Sequence, residues 1–173
     1  MMAAVAKPFE LFEATIAHRA FLDLDPDAPD FGFFRPLLQY WTDRRGVRVA
    51  PARADLDPLE LPPALLPHVL LIDVEHDPVD FRYRLAGTAA DTIHGQSLKG
   101  VRILDLRPEP FARTLHVDLV RMTADLAVQF TELSFTNRED KTRRYRVLRL
   151  PLCDETGRLT MILVLADHGA ITR

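Results

Sequence analysis

Glu132 and Arg146, Asp73 and His94, Tyr83 and Cys153 are the side chains whose types and positions are suited to chemistry. A carboxylate beside an imidazole moves protons, so Asp73 and His94 in one cavity would form an acid/base pair. An acid and a guanidinium opposite one another on neighbouring strands, as Glu132 and Arg146 would be, form an ion pair. Facing inward, that pair needs further hydrogen-bonding partners of the kind a ligand supplies. Facing outward, it is an exposed pair contributing about 0.2–1 kcal/mol. Tyr83 and His94 add a hydroxyl and an imidazole donor.

Other chemistries lack their parts. Cys153 is the only cysteine in 173 residues, so no internal disulfide or thiolate zinc cluster is expected. His76-Asp77 and Asp167-His168 are adjacent pairs that diverge in an extended chain, and no HxH or HExxH spacing occurs, so no metal is expected. There is no GxSxG elbow, P-loop or GxGxxG. The formal charge of −3, with charges interspersed, gives no general attraction to nucleic acid or anionic membrane. The basic cluster Lys141, Arg143, Arg144, Arg146 and Arg149 follows Glu139 and Asp140 and reads as a solvated, partly paired strand. Its other reading is a nucleotide-binding regulator using Arg143 to Arg149. No apolar run approaches the roughly 18–20 residues that cross a bilayer. MMAAVAKPFELFEAT has neither a signal-peptide core nor a cleavage site, so a cytoplasmic location is expected.

The elements that must position these groups follow from periodicity. Phe9 to Leu24 is a weakly amphipathic stretch, and DLDPDAPD, interrupted by Pro26 and Pro29, reads as a linker. In FFRPLLQYWTDRRG, Phe34, Leu37, Leu38 and Trp41 recur at helical spacing, with Pro36 in the first turn and Gly46 as a stop. The proline-rich run to residue 67 excludes long elements, but Asp57-Pro58-Leu59-Glu60 has the order of a cap, a first-turn proline and a reciprocating N3 acid. VLLIDV and TMILVLA lack alternation, as strands buried on both faces do, whereas Phe81 to Leu85 alternates strictly. Thr88 to Asp91 opens a short helix that Gly95 closes. Phe111, Leu115, Leu119, Met122 and Leu126 form one stripe on a longer helix ending near Asp125.

Val128 to Phe135 and Thr142 to Leu150 flank NREDK. A three-residue loop, Arg138 to Asp140, sets Asn137 opposite Lys141, Glu132 opposite Arg146, Ser134 opposite Arg144, Phe130 opposite Leu148 and Val128 opposite Leu150. Opposite charges and apolar residues then fall together. A one-residue slip would exchange the faces.

LLQYWTDRRG, PARADLDPLELPPALLPHVLLIDVE, DFRYRLAGT and HGQSLKG, in this order over Leu37 to about Leu106, resemble a bacterial PAS-domain family of alphaproteobacterial type. The second half resembles it in its order of elements. The resemblance implies an α+β fold: a PAS-like five-stranded antiparallel sheet, first and last strands central, with short helices and one longer helix on one face, plus an N-terminal helical extension. Domain limits follow as 1–30 for an extension and linker, 31–67 for the N-terminal helix and proline-rich connection, and 68–169 for the PAS-like domain.

Similarity to PAS domains also implies a choice of cofactors. His116 on the long helix is the matching haem-ligand candidate, but it flanks the apolar stripe and haem is not expected. Flavin photosensors of this fold need a cysteine among the short helices, whereas Cys153 follows the fourth strand, so flavin is not expected either. What remains is a small organic ligand between sheet and helices, with Tyr83, His94, Glu132 and Arg146 as pocket candidates. Leu37, Tyr40 and Trp41 serve either core packing or a homodimer. The reading is a stand-alone sensory or signalling module, not an enzyme, that binds a small organic ligand, a partner signalling protein, or both. The alternative is a small α+β enzyme with a cone-like cavity using Asp73 and His94.

Overall fold

The computed structural model describes residues 15–136, 142–169 and 171–172. The strands are β1 (Thr15–Phe21), β2 (Val69–Glu75), β3 (Asp80–Ala86), β4 (Gln129–Thr136), β5 (Thr142–Cys153), β6 (Leu159–Asp167) and the short β7 (Ile171–Thr172). The helices are α1 (Arg35–Arg45), α2 (Thr88–His94) and α3 (Glu109–Asp125), joined by 3-10 turns. All pairings are antiparallel, in the order β1-β4-β5-β6-β2-β3, with β7 beside β5.

This is the expected α+β architecture, with β6 in the middle of the expected five strands β4-β5-β6-β2-β3 and β2 beside it. Val69 to Ile72 and Ile162 to Ala166 are buried without a break because helices or loops cover both sheet faces. The sheet gains two strands outside the expected five, β1 and the short β7. Part of the stretch Phe9 to Leu24 forms β1, which pairs along β4 with a shift in register between Ile16 and His18. An open β4 edge presents unpaired backbone groups, and β1 satisfies them.

The β4/β5 hairpin has the expected register, with Phe130 opposite Leu148, Glu132 opposite Arg146 and Ser134 opposite Arg144. The Arg138–Asp140 loop and the Asn137/Lys141 pair lie outside the described residues. Alternation then divides the sheet into two faces. Phe130 and Leu148 belong to the outer face, where Phe31 and Phe34 meet Phe130 edge-on at 5.2 and 5.1 Å. Gln129, Thr131, Phe135, Tyr145, Val147 and Arg149 belong to the inner face, where Phe111 of α3 packs on Phe135 at 5.5 Å.

α1 begins with Pro36 in its first turn, where the missing N–H costs nothing, and stops at Gly46, whose φ is +56°. Leu37, Leu38 and Trp41 are buried on its sheet-facing side, and the Trp41 indole N–H donates to the Pro151 carbonyl at 2.9 Å. The proline-rich run condenses into 3-10 turns. At the second of these Asp57 accepts from the Leu59 N–H as expected, but Glu60 does not turn back to the cap. It instead receives Tyr40 Oη at 2.5 Å and Arg44 at 2.6 Å. α2 ends at left-handed Gly95 as expected, although its cap residue is Gly87 and Asp91 accepts from the Leu98 N–H instead. Gly87 sits so tightly under the proline run that a Cβ there would lie 2.2 Å from the Pro67 carbonyl oxygen.

β3 is the far margin of the sheet. Residues 100–102 lie along it: Tyr83 N–H donates to the Val101 carbonyl at 3.0 Å, Gly100 N–H to the Tyr83 carbonyl at 2.7 Å, and Arg82 bridges Arg102.

Candidate functional site

Between the inner face and α3, where apolar packing is the rule, lies a group of buried polar side chains. Arg149, on the inner side of β5, is 2% exposed, and Asp118, on the sheet-facing side of α3, is 3% exposed. Their charged groups are 3.5 Å apart. Arg149 also donates to Gln129 Oε1 at 3.1 Å, and the Gln129 amide donates to the Asp118 carbonyl at 2.6 Å. Asp118 has a second cationic partner, Arg19 of β1, whose Nη1 is 2.6 Å from Oδ1. One carboxylate thus ties the sheet, the long helix and the N-terminal strand together.

Burial sets the electrostatics. It pushes the Asp118 carboxyl above its ordinary value, against the opposing pull of Arg149 and Arg19. Burial also lowers the Arg149 guanidinium, against Asp118, Tyr145 and Tyr83. Tyr83 and Tyr145 are both raised by burial, Tyr145 to about 12, and remain neutral phenols beside the guanidinium. Thr131 Oγ1 is buried on the same face without a hydrogen-bond partner.

Beyond Tyr145 the polar layer becomes a histidine cluster. His168, just past β6, stacks on the Tyr145 ring at 4.7 Å, and His68, just before β2, lies 6.3 Å from His168. His94, the last residue of α2, packs 5.8 Å from Phe111. Burial lowers His94 to about 4. Burial first, then the neighbouring His94, His68 and Arg143, lowers His168 to about 3, so both imidazoles are neutral near pH 7. His68, His168, Arg143 and the α2 residues Thr88, Ala89, Thr92 and Ile93 wall a depression of about 390 Å³.

The expected site residues divide between the two faces. Tyr83 and His94 lie in the inner layer, both 4% exposed. Glu132 and Arg146 are strand partners, but on the outer face and with other ion-pair partners: Glu132 meets Arg144 at 3.5 Å, and Arg146 meets Asp30 at 3.1 Å and Asp167 at 3.6 Å. They line a polar outer groove of about 480 Å³ with Ser134 and Thr142. Asp73 projects outward and accepts from Arg84 at 2.8 Å, so the sheet separates it from His94. His116 packs edge-on against Phe81 at 5.4 Å, beside α3's buried stripe. Leu37 and Trp41 are committed to their own sheet, while half-buried Tyr40 also accepts from the Asp57 N–H.

Arg149, buried at 2% exposure, corrects the expectation that the basic cluster lies on a solvated, partly paired strand. The hairpin register carried the signal, since it puts Arg149 with Tyr145 and Val147 on the face opposite Arg146. Asp118 carried one as well: it falls three residues after Leu115 and four before Met122, within α3's apolar stripe. His68 and His168 stand at strand ends far apart in sequence, and only the β2/β6 pairing unites them.

The family model described as PAS domain matches residues 34–165, starting at the last residue before α1 and ending within β6. Searches of curated proteins and of solved structures return no match.

Proposed function

Since this chain belongs to the PAS domain family, we propose that it is a sensory module in which a small organic ligand on the inner face alters the hold of the core on the N-terminal strand. The family supports a sensory or signalling type of module. The observation that carries the finer reading is the sharing of Asp118 between Arg149 and Arg19. Arg149 lies inside the matched region, whereas Arg19 precedes it on the strand added to the sheet edge.

A signal needs two sites and a shared element whose state both of them bias. Asp118 provides that element. A ligand that engages Arg149 or fills the polar layer changes what Arg149 offers Asp118, and thereby the strength of the Arg19 contact. The output is the docking of β1, read by a partner signalling protein or a second copy. Because α1 spends Leu37 and Trp41 on its own sheet, either partner would use other surfaces, among which Val117 and Val120 of α3 are exposed. No helix among the described residues is long and apolar enough to cross a membrane, and the proposed setting is the cytoplasm.

The test combines native mass spectrometry of gently purified protein with hydrogen exchange of β1. A bound small molecule is expected, and its removal should change β1 exchange in the wild type but not in Arg19→Ala. A protein that carries nothing, with β1 exchange unaffected by Asp118→Asn, would falsify the reading.

A further inference from the structure

We infer that a cavity on the outer face of the sheet, between β2, β3, β6 and the proline-rich run, is a binding site for an uncharged, largely apolar small molecule. It lies across the sheet from Asp118 and Arg149 and does not rest on the sensory reading of the inner face.

The floor of the cavity follows from strand register. Leu150, Leu163, Leu71 and Leu85 are successive cross-strand partners from β5 through β6 and β2 to β3. Along this row exposure climbs from 0% at Leu150 through 6% at Leu163 and 7% at Leu71 to 51% at Leu85. The cover that seals the β5 end therefore stops short of β3. In the space left, Leu163, Leu71 and Leu85 line a cavity of about 520 Å³ together with Pro58, Pro63 and Pro67. That volume is within the range of small-molecule sites.

The wall facing this floor is held in place by the protein itself. The three prolines have fixed φ angles, and the Pro67 carbonyl rests on Gly87 so closely that no Cβ fits between them. At the other end of the run, Tyr40 Oη donates to Glu60 at 2.5 Å and accepts from the Asp57 N–H at 2.8 Å, which ties the run to α1. A site whose walls are set in advance binds without the cost of ordering them.

The class of ligand follows from the charges in the walls and from how they are used. Arg53 and Asp57 are the charged residues among them, and they are of opposite sign. Both have protein partners: Arg53 Nη1 donates to the Leu56 carbonyl at 2.9 Å, and the Asp57 carboxylate accepts from the Leu59 N–H at 2.9 Å. Among the described residues, none of the buried side-chain polar atoms left without a partner belongs to these walls. An ion entering the cavity would lose water without gaining a net opposite charge, whereas an apolar molecule gains with each part of its surface covered. A second copy of the chain fits less well. The exposed large apolar side chains in the walls are Leu66 and Leu85, and a stable interface uses roughly 20–30 residues a side.

The probes are three molecules of one shape: naphthylmethanol, which is uncharged, naphthoate and naphthylmethylammonium. Each is titrated into the full chain while leucine methyl groups are followed by proton–carbon NMR. The alcohol is expected to move the Leu71, Leu85 and Leu163 signals, to leave Leu119 of α3 in place, and to bind at least about tenfold more tightly than either ion. Leu85→Glu, at an exposed position, should weaken the alcohol about tenfold and narrow its advantage over the ammonium. An ion that binds as tightly as the alcohol overturns the assignment of ligand class. The site itself is refuted if the alcohol moves none of the three leucines, if it moves Leu119 alone, or if a folded Leu85→Glu variant binds it normally. Movement of the same three signals with protein concentration alone, accompanied by a doubled molar mass in light scattering, would make the cavity a contact between copies and would also overturn the proposal.

Discussion

Asp118 on α3 and Arg149 on β5 face each other at 3.5 Å with side chains 4% and 3% exposed, and Arg19 reaches the same carboxylate from β1 with a side chain 34% exposed. The first contact is a buried pair, whose value depends on each charge keeping its partner. The second is a half-open one, in which water competes. The asymmetry makes the core contact structural and the β1 contact adjustable.

Asp118→Ala should therefore destabilise the protein by about 3–5 kcal/mol, because Arg149 is left charged and unpaired in the interior. Arg19→Ala should cost no more than about 1 kcal/mol. Urea unfolding of the two variants checks the difference. Combining Asp118→Leu with Arg149→Met should recover most of the loss, which would show that the pair is not retained for stability.

Acid should weaken the fold through the histidines. His94 and His168 have folded values near 4 and 3, below the ordinary 6.5, so the unfolded chain binds their protons first. Their contribution is fully present above about pH 6.5 and is lost as pH falls toward 3–4, with a slope of up to about 1.4 kcal/mol per pH unit for each ring. His168→Phe should remove about half of that slope between pH 6 and pH 4. An unchanged slope in chemical denaturation across this window would contradict the burial of His168.

Trp41 is tied to the sheet by packing and by one hydrogen bond to Pro151. Trp41→Ala should cost about 3–5 kcal/mol. Trp41→Phe should cost about 1–3 kcal/mol, much of it from the unpaired Pro151 carbonyl. Neither should change the molar mass by light scattering at concentrations where the variants are folded, because Trp41 faces its own chain.

Gly87 and Gly46 should respond differently to alanine. At Gly87 the backbone angles suit any residue, but the new methyl would collide with the Pro67 carbonyl, so Gly87→Ala should separate the proline run from α2 and lower the melting temperature sharply. At Gly46 nothing lies within 4 Å, and the cost is the backbone alone, at φ +56° and ψ −124°, about 1–3 kcal/mol.

The sequence revealed the sheet more readily than the site. VLLIDV and TMILVLA announce their interior positions because burial on both faces removes alternation, and the pairing of opposite charges and of apolar residues in the β4/β5 hairpin fixes its register. β1 was not legible: TIAHRAF has weak amphipathicity, and its strand state depends on the open edge of β4, over 100 residues away. Arg149 was hidden by its company. In a run of arginines solvation is the reasonable expectation, and only Asp118, 31 residues earlier, allows one of them to be buried. The choice between outward and inward ion pairs turned on which face α1 and α3 each cover, which strand patterns alone do not specify.

The segment 100–102 has one more consequence, for how copies of this chain can join. It occupies the backbone groups at the middle of β3, which closes that margin of the sheet to another strand. Continuous sheet growth from molecule to molecule requires two open margins. Among the described residues the other outer strands are β1 and the short β7 beside β5, so any pairing of copies through their sheets would have to use these and not β3.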